Sequence, residues 1–183
     1  WTVGLSLLAF VGGGLLGFVV ALGTSYGPRW SRLAVSLYVK LIQGTPLLVL
    51  LPLAYFGLPS LGLNVPPLGA AALALSIYVS AYLGEIWRGC IESVPRTQAE
   101  AAECLALRWH QRVIHVILPQ AVKIATPPTV GFMVQIVKNT SLASAIGFVE
   151  LARAGQIINN STFQPFTVFG CVALIYFCLC FPL

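Results

Sequence analysis

Gln135, Lys138 and Asn139 stand at i, i+3 and i+4, so a helix would carry all three on one face, with Thr140, Ser141 and Ser144 alongside. Amides and hydroxyls around one ammonium would make a polar lining, with Lys138 able to attract a carboxylate. Apolar residues surround this stretch, and a charge among them is costly. Lys138 must therefore face a bundle interior, a partner chain or water. A structural role also fits: pairing with a carbonyl or carboxylate to fix helix packing.

Glu85 and Arg88 are i, i+3 at the end of another apolar stretch. They read as a local ion pair at a membrane edge, or as part of an inner gate. Glu150 and Arg153 repeat the spacing near an outer loop and read as a solvated pair or a contact for a partner on that side. His110 and His115 lack a metal-ligand pattern, and no nucleophile–base spacing occurs, so neither a metal site nor an enzyme is expected. The run Gly12, Gly13, Gly14 and Gly17 is followed by no Gly-Lys-Ser or Gly-Lys-Thr, so it is not a phosphate loop; it permits close helix contact instead. Cys90, Cys104, Cys171, Cys178 and Cys180 form no C-x-x-C and read as small apolar packing groups, without a disulfide.

The elements that must position these residues follow from composition. Of 183 residues, 58% are hydrophobic and 8% charged, with a mean hydropathy of +0.90. A soluble domain would be about a quarter charged, so the chain reads as an all-α integral membrane protein. Five segments are long enough to span: 2–23, 41–62, 66–87, 121–146 and 163–183. Pro46 and Pro52 interrupt the second. Pro127-Pro128 with Gly131 should kink or restart the fourth. The net charge of +5 comes from no basic run, so nucleic acid is not an expected partner. Arg29, Arg32 and Lys40 lie between spans one and two, and Arg88, Arg96, Arg108, Arg112 and Lys123 between spans three and four; the alternate side has Arg153 alone. That asymmetry places the N-terminus outside and the C-terminus inside. The chain reads as a single domain, 1–183, trimmed at both ends, because it starts at Trp1 and stops within an apolar run.

The polar stretch 88–120 breaks this pattern. Thr97 with Glu100 has capping-box spacing. Ala101, Ala102, Leu105 and Trp109 then share one helical face, and Leu118-Pro119 should end the segment and re-aim the chain. Small residues would let another surface approach closely. The residues alone leave two roles open: a docking knob presented to the cytoplasm, or a helix lying on the membrane surface.

Glu100-Ala101-Ala102, then Ala106, then Val116-x-Leu118-Pro119, resembles the EAA loop of ABC importer permeases. The stretches "LIQGTPLLVLLPLAYFGLP", "SAYLGEIWRGCIESVPRTQAEAA" and "VKNTSLASAIGFVELARAGQ" are similar to the polar amino acid permeases of that superfamily, the histidine/glutamine/arginine type. The likeness covers almost the whole chain. It implies a type I importer permease fold in a bacterial inner membrane, working beside a second permease chain, the same or similar. Two ATPase subunits would sit below and carry the ATP and magnesium, and a periplasmic binding protein would deliver the amino acid. The segment 97–108 would be the coupling helix, with Glu100, Ala101, Ala102, Leu105, Ala106 and Leu107 at the ATPase. Two positions depart from the family. Ala106 replaces its usual Gly, which would cost on the order of 1 kcal/mol at positive φ. Gln43 precedes Gly-Thr-Pro where Arg is frequent. Many relatives have Asp in place of Asn139, so a strictly cationic substrate is disfavoured. An ion-coupled carrier is the other class considered, but it would carry acidic or paired charges deep in its spans.

Overall fold

The computed structural model describes residues 1–183 and is helical throughout. Helix α1 (Thr2–Tyr26) and helix α4 (Pro67–Glu92) are the two unbroken helices long and apolar enough to cross a membrane. They run side by side in the same direction. Gly12 and Gly13 lie against Ser76 and Val79, Gly17 against Gly84, and the Phe18 ring against Trp87. A Cβ on Gly13 would stand 2.5 Å from the Val79 side chain, so glycine is what allows the helices to approach this closely. Leu5, Ala9, Leu75, Val79 and Leu83 are fully buried in this seam. Leu7, Val11, Leu15 and Val19 on the opposite face of α1 stay exposed, as expected of a helix solvated by lipid.

The stretch 41–62 is not one span. Helix α2 (Arg29–Gly44) ends at Gly44, and helix α3 (Leu47–Ser60) leaves it at 103°. Pro46 has no N–H to continue α2, and it holds Thr45 in an extended conformation, φ −104° and ψ 127°. The basic residues expected in a loop, Arg29, Arg32 and Lys40, therefore sit on α2 itself. Its exposed apolar stripe is Trp30, Leu33, Leu37 and Leu41.

Helix α5 (Arg96–Cys104) and the short helix α6 (Trp109–Arg112) follow α4. A π turn over Val113–Ile117 then feeds helix α7 (Leu118–Asn139) without a break. Leu118-Pro119 thus does not end a segment: helical winding runs on from Trp109 into α7, the Leu118 N–H bonds the Val113 carbonyl, and Pro119 sits at the junction where π winding gives way to α. Pro127 and Pro128 also lie inside α7, and the helix continues through both instead of restarting. It runs antiparallel to α4, with the Trp87 indole donating to Thr129 Oγ1 at 2.9 Å. A 3-10 turn over Thr140–Ile146 closes on Gly147 at φ 79°.

The outer stretch expected to be a loop contains helix α8 (Leu151–Thr162), bent by 54° from the preceding helical run. Helix α9 (Pro165–Cys180) packs back on it, with Val172 against Gly155. Leu179, Pro182 and Leu183 lie beside Val3, Leu7 and Phe10, so the last residues reach the first third of α1 and not its Tyr26 end.

Candidate functional site

The polar residues of α7 gather halfway along the bundle. Gln135 donates to Asn139 Oδ1 at 3.0 Å, and Asn139 approaches the Tyr78 hydroxyl on α4. The Tyr78 and Tyr82 rings lie 4.5 Å apart, and Tyr82 stacks on Phe132 at 5.5 Å. These tyrosines and Phe132 complete the cluster, and sequence reading missed them. The clue was their i, i+4 spacing on an otherwise apolar helix. Lys138 is exposed and makes no ion pair with any carboxylate in the chain.

The rest of the stripe divides. Thr140 is fully buried, and its hydroxyl donates back to the Val137 carbonyl at 2.7 Å. Ser141 does the same to the Lys138 carbonyl at 2.7 Å. Ser144 is half-buried. The change from α to 3-10 winding at Thr140 alters the turn angle, so a face counted at helical spacing does not continue past Asn139.

Arg88 holds two carboxylates at once. Its Nε donates to Glu85 at 2.9 Å, and its Nη1 to Glu92 at 2.6 Å. The pair expected from spacing is therefore a three-residue cluster. Gln43 reaches the Ala81 carbonyl at 3.4 Å.

The α5 segment projects from the Tyr26 end. Glu100, Ala101, Leu105 and Ala106 are exposed and Leu107 is half-buried, while Ala102 turns inward and is buried. No Thr97 capping box forms: the helix starts two residues earlier than that cap would set, at Arg96 after Pro95, whose fixed φ of −55° sets the entry. At the other end Ala106 has φ 56°. The Ala106 N–H bonds the Glu103 carbonyl at 2.8 Å and the Leu107 N–H bonds the Ala102 carbonyl at 3.2 Å, the two bonds of a Schellman turn. Ala106 thus occupies the left-handed position that normally selects glycine. Arg112 pairs with Glu103 at 2.6 Å and ties α6 to α5.

Glu150 is not in a solvated pair with Arg153. It is 2% exposed and caps α8 by accepting from the Ala152 and Arg153 N–H groups, each at 2.8 Å. The Tyr176 hydroxyl donates to it at 2.8 Å, and the Arg153 guanidinium turns to Gln156 instead.

Residues 13–183 match the family described as binding-protein-dependent transport system inner membrane component. The chain is 37% identical over 181 residues to the probable glutamine ABC transporter permease protein GlnM of Bacillus subtilis, covering 97% of this chain and 82% of that protein. To the L-cystine transport system permease protein TcyB of the same organism it is 36% identical, covering 100% and 79%. The glutamine transport system permease protein GlnP of Escherichia coli is 31% identical, covering 96% and 81%. A crystal structure of an amino acid ABC transporter with histidines superposes with a TM-score of 0.92 at 36% identity, covering 99% of this chain and 85% of that one. The MetNI methionine ABC transporter shares the fold, with a TM-score of 0.73 at 21% identity. With its all-helical fold and its polar residues drawn together within apolar helices, the chain belongs to the binding-protein-dependent transport system inner membrane components, the permease subunits of ABC importers.

Proposed function

We propose that this chain forms one half of the transmembrane path of an ATP-driven amino acid importer in a bacterial inner membrane. A second permease chain forms the other half. A binding protein delivers the amino acid at the Trp1 end, and two ATPase subunits, holding ATP and magnesium, dock at the Tyr26 end. The N-terminus faces outward, because the basic residues of α2, α5 and α6 cluster at the Tyr26 end. The names of the relatives, glutamine and cystine permeases among them, support an amino acid as cargo.

The observation that carries this reading is α5. It offers Glu100, Ala101 and Leu105 to a partner, while Ala102 is buried and the Glu103–Arg112 pair ties α5 to α6, which runs on into α7. A short helix held this way moves as a rigid body with α4 and α7. It can pass an ATPase displacement into the bundle. Gln135, Asn139 and the outer part of the stripe, Lys138, Ser141 and Ser144, line the path in the same reading, with Thr140 supporting them from the core. Glu85 and Arg88 belong to its inner constriction.

Glu100→Lys tests the coupling role. Reversing the charge should leave membrane insertion intact while weakening co-purification of the ATPase and uptake together. Full retention of both would remove Glu100 from the interface. Mass spectrometry of the mildly solubilised native complex would identify the ATPase and any second permease; the absence of an ATPase would return the ion-coupled carrier.

A further inference from the structure

A polar cleft opens between α2 and α4 at the Tyr26 end, enclosing about 480 Å³. Its charged and amide lining is Arg32, Lys40, Gln43, Glu85, Arg88 and Glu92. Such a cleft is unusual among helices this apolar, and the pattern of α2 explains it. Trp30, Leu33, Leu37 and Leu41 form one stripe, exposed where lipid lies. Arg32, Ser36, Lys40 and Gln43 form the opposite stripe and face the cleft. The helix turns its apolar side outward and its polar side toward its neighbour, the reverse of a helix on a water-soluble core.

The charges do not cancel. Arg88 is satisfied by Glu85 and Glu92 together. Arg32 spends its Nε on the Gly27 carbonyl at 2.7 Å, and Lys40 has no carboxylate partner. Three cations thus meet two carboxylates, with the uncompensated positive charge on the α2 wall and both carboxylates on the α4 wall. A molecule with a carboxylate at one end and an ammonium at the other complements the two walls.

The cleft also connects to the mid-bundle cluster. Tyr78, Tyr82, Glu85, Gly89 and Glu92 follow one another at intervals of four and three on α4, hence on one face. None of them is buried. This stripe begins at Asn139 and ends in the cleft.

We propose that the cleft is a second station for the cargo, taking the carboxylate of a free α-amino acid on Arg32 and Lys40 after it leaves the Tyr78–Asn139 cluster. The proposal rests on the importer reading above. It makes the inner half of the path a hand-over between two polar sites, with the ion-paired Glu85–Arg88–Glu92 cluster as the opposite wall.

The test uses the complete transporter with its native cysteines replaced and Ser36→Cys introduced, in phosphatidylcholine nanodiscs. Sulfonatoethyl methanethiosulfonate should label Cys at this position about ten-fold faster than the trimethylammonium reagent of similar size, since a cleft with excess positive charge concentrates anions. Lys40→Gln should abolish that preference and Lys40→Arg should restore it. Millimolar L-glutamine should slow the anionic reagent, and 4-aminobutanamide, which lacks the α-carboxylate, should not. Equal labelling by both reagents, no labelling, or no protection by L-glutamine would overturn the proposal. Protection by added phosphatidylglycerol in place of the amino acid would overturn it in favour of a lipid headgroup. ATP-driven uptake is measured on the same preparation. Its absence would reject the importer reading, whereas intact uptake without anion selectivity would reject only the second station.

Discussion

The Tyr26 ring, at the last turn of α1, meets the Trp109 ring of α6 edge to face with centroids 5.4 Å apart. This contact joins the end of a spanning helix to the segment that carries Glu100. Such pairs are worth about 1 kcal/mol beyond the area they bury, enough to bias how the two move together. Trp109→Ala should leave assembly intact and lower the amount of cargo moved per ATP hydrolysed. Parallel measurement of uptake and phosphate release checks this. An unchanged ratio would mean that α1 takes no part in coupling.

Ala106 holds a left-handed conformation with φ 56°, which costs an L-residue with a Cβ about 1 kcal/mol. Ala106→Gly should raise the thermal unfolding midpoint of the solubilised complex, whereas Ala106→Val should lower it and expose the segment to protease. A lowered midpoint in the glycine variant would show that chain entropy outweighs the relief of strain.

Gly13 and Gly131 make a matched pair of tests. A Cβ at Gly13 meets Val79 side-chain atoms at 2.5 Å and the Ser76 carbonyl at 2.9 Å, while one at Gly131 meets nothing within 4 Å. Overpacking the α1–α4 seam should cost about 1–3 kcal/mol. Gly13→Ala should therefore reduce the yield of folded protein in a detergent-stability assay, and Gly131→Ala should leave it unchanged.

Glu150 caps α8 and accepts from Tyr176 while almost fully buried. A hydrogen bond to a charged group is worth about 1.5–3 kcal/mol. Tyr176→Phe should loosen the α8–α9 hairpin, seen as faster proteolysis between Thr162 and Pro165. Glu150→Ala removes the cap as well and should be the more severe. Equal cleavage in all three proteins would remove this contact from the forces that hold the hairpin.

Much of the site was legible because it depends on local chemistry. Isolated polar residues in an apolar chain announce themselves, so Gln135, Asn139, Glu85, Arg88 and Glu100 were visible before any fold. The glycine usual at position 106 in the family raised positive φ only as a condition, and it is the structure that gives Ala106 φ 56°. Tyr78 and Tyr82 were missed because tyrosine is common in apolar helices, and only the approach of α7 gives the pair a polar neighbour. Glu150 was misread because a spacing of three suggests a partner on the same helix, whereas the capping geometry points the carboxylate at backbone N–H groups and Tyr176.

By itself, the sequence determined that the chain is helical and membrane-embedded, where the apolar stretches lie, and which family it joins. Backbone groups in lipid can bond only within helices, and apolar length is a property of the chain alone. Tertiary structure decided how those stretches are cut and which way their faces turn. Pro46 breaks one span at 103°, yet Pro119, Pro127 and Pro128 stay within α7. Each proline lacks the N–H that would extend the ladder, yet the helix stops before Pro46, where Thr45 is extended, and continues through Pro119, Pro127 and Pro128. The cleft between α2 and α4 belongs to the same level: Arg32 and Glu85 are far apart in sequence and share a site only because two helices lie side by side.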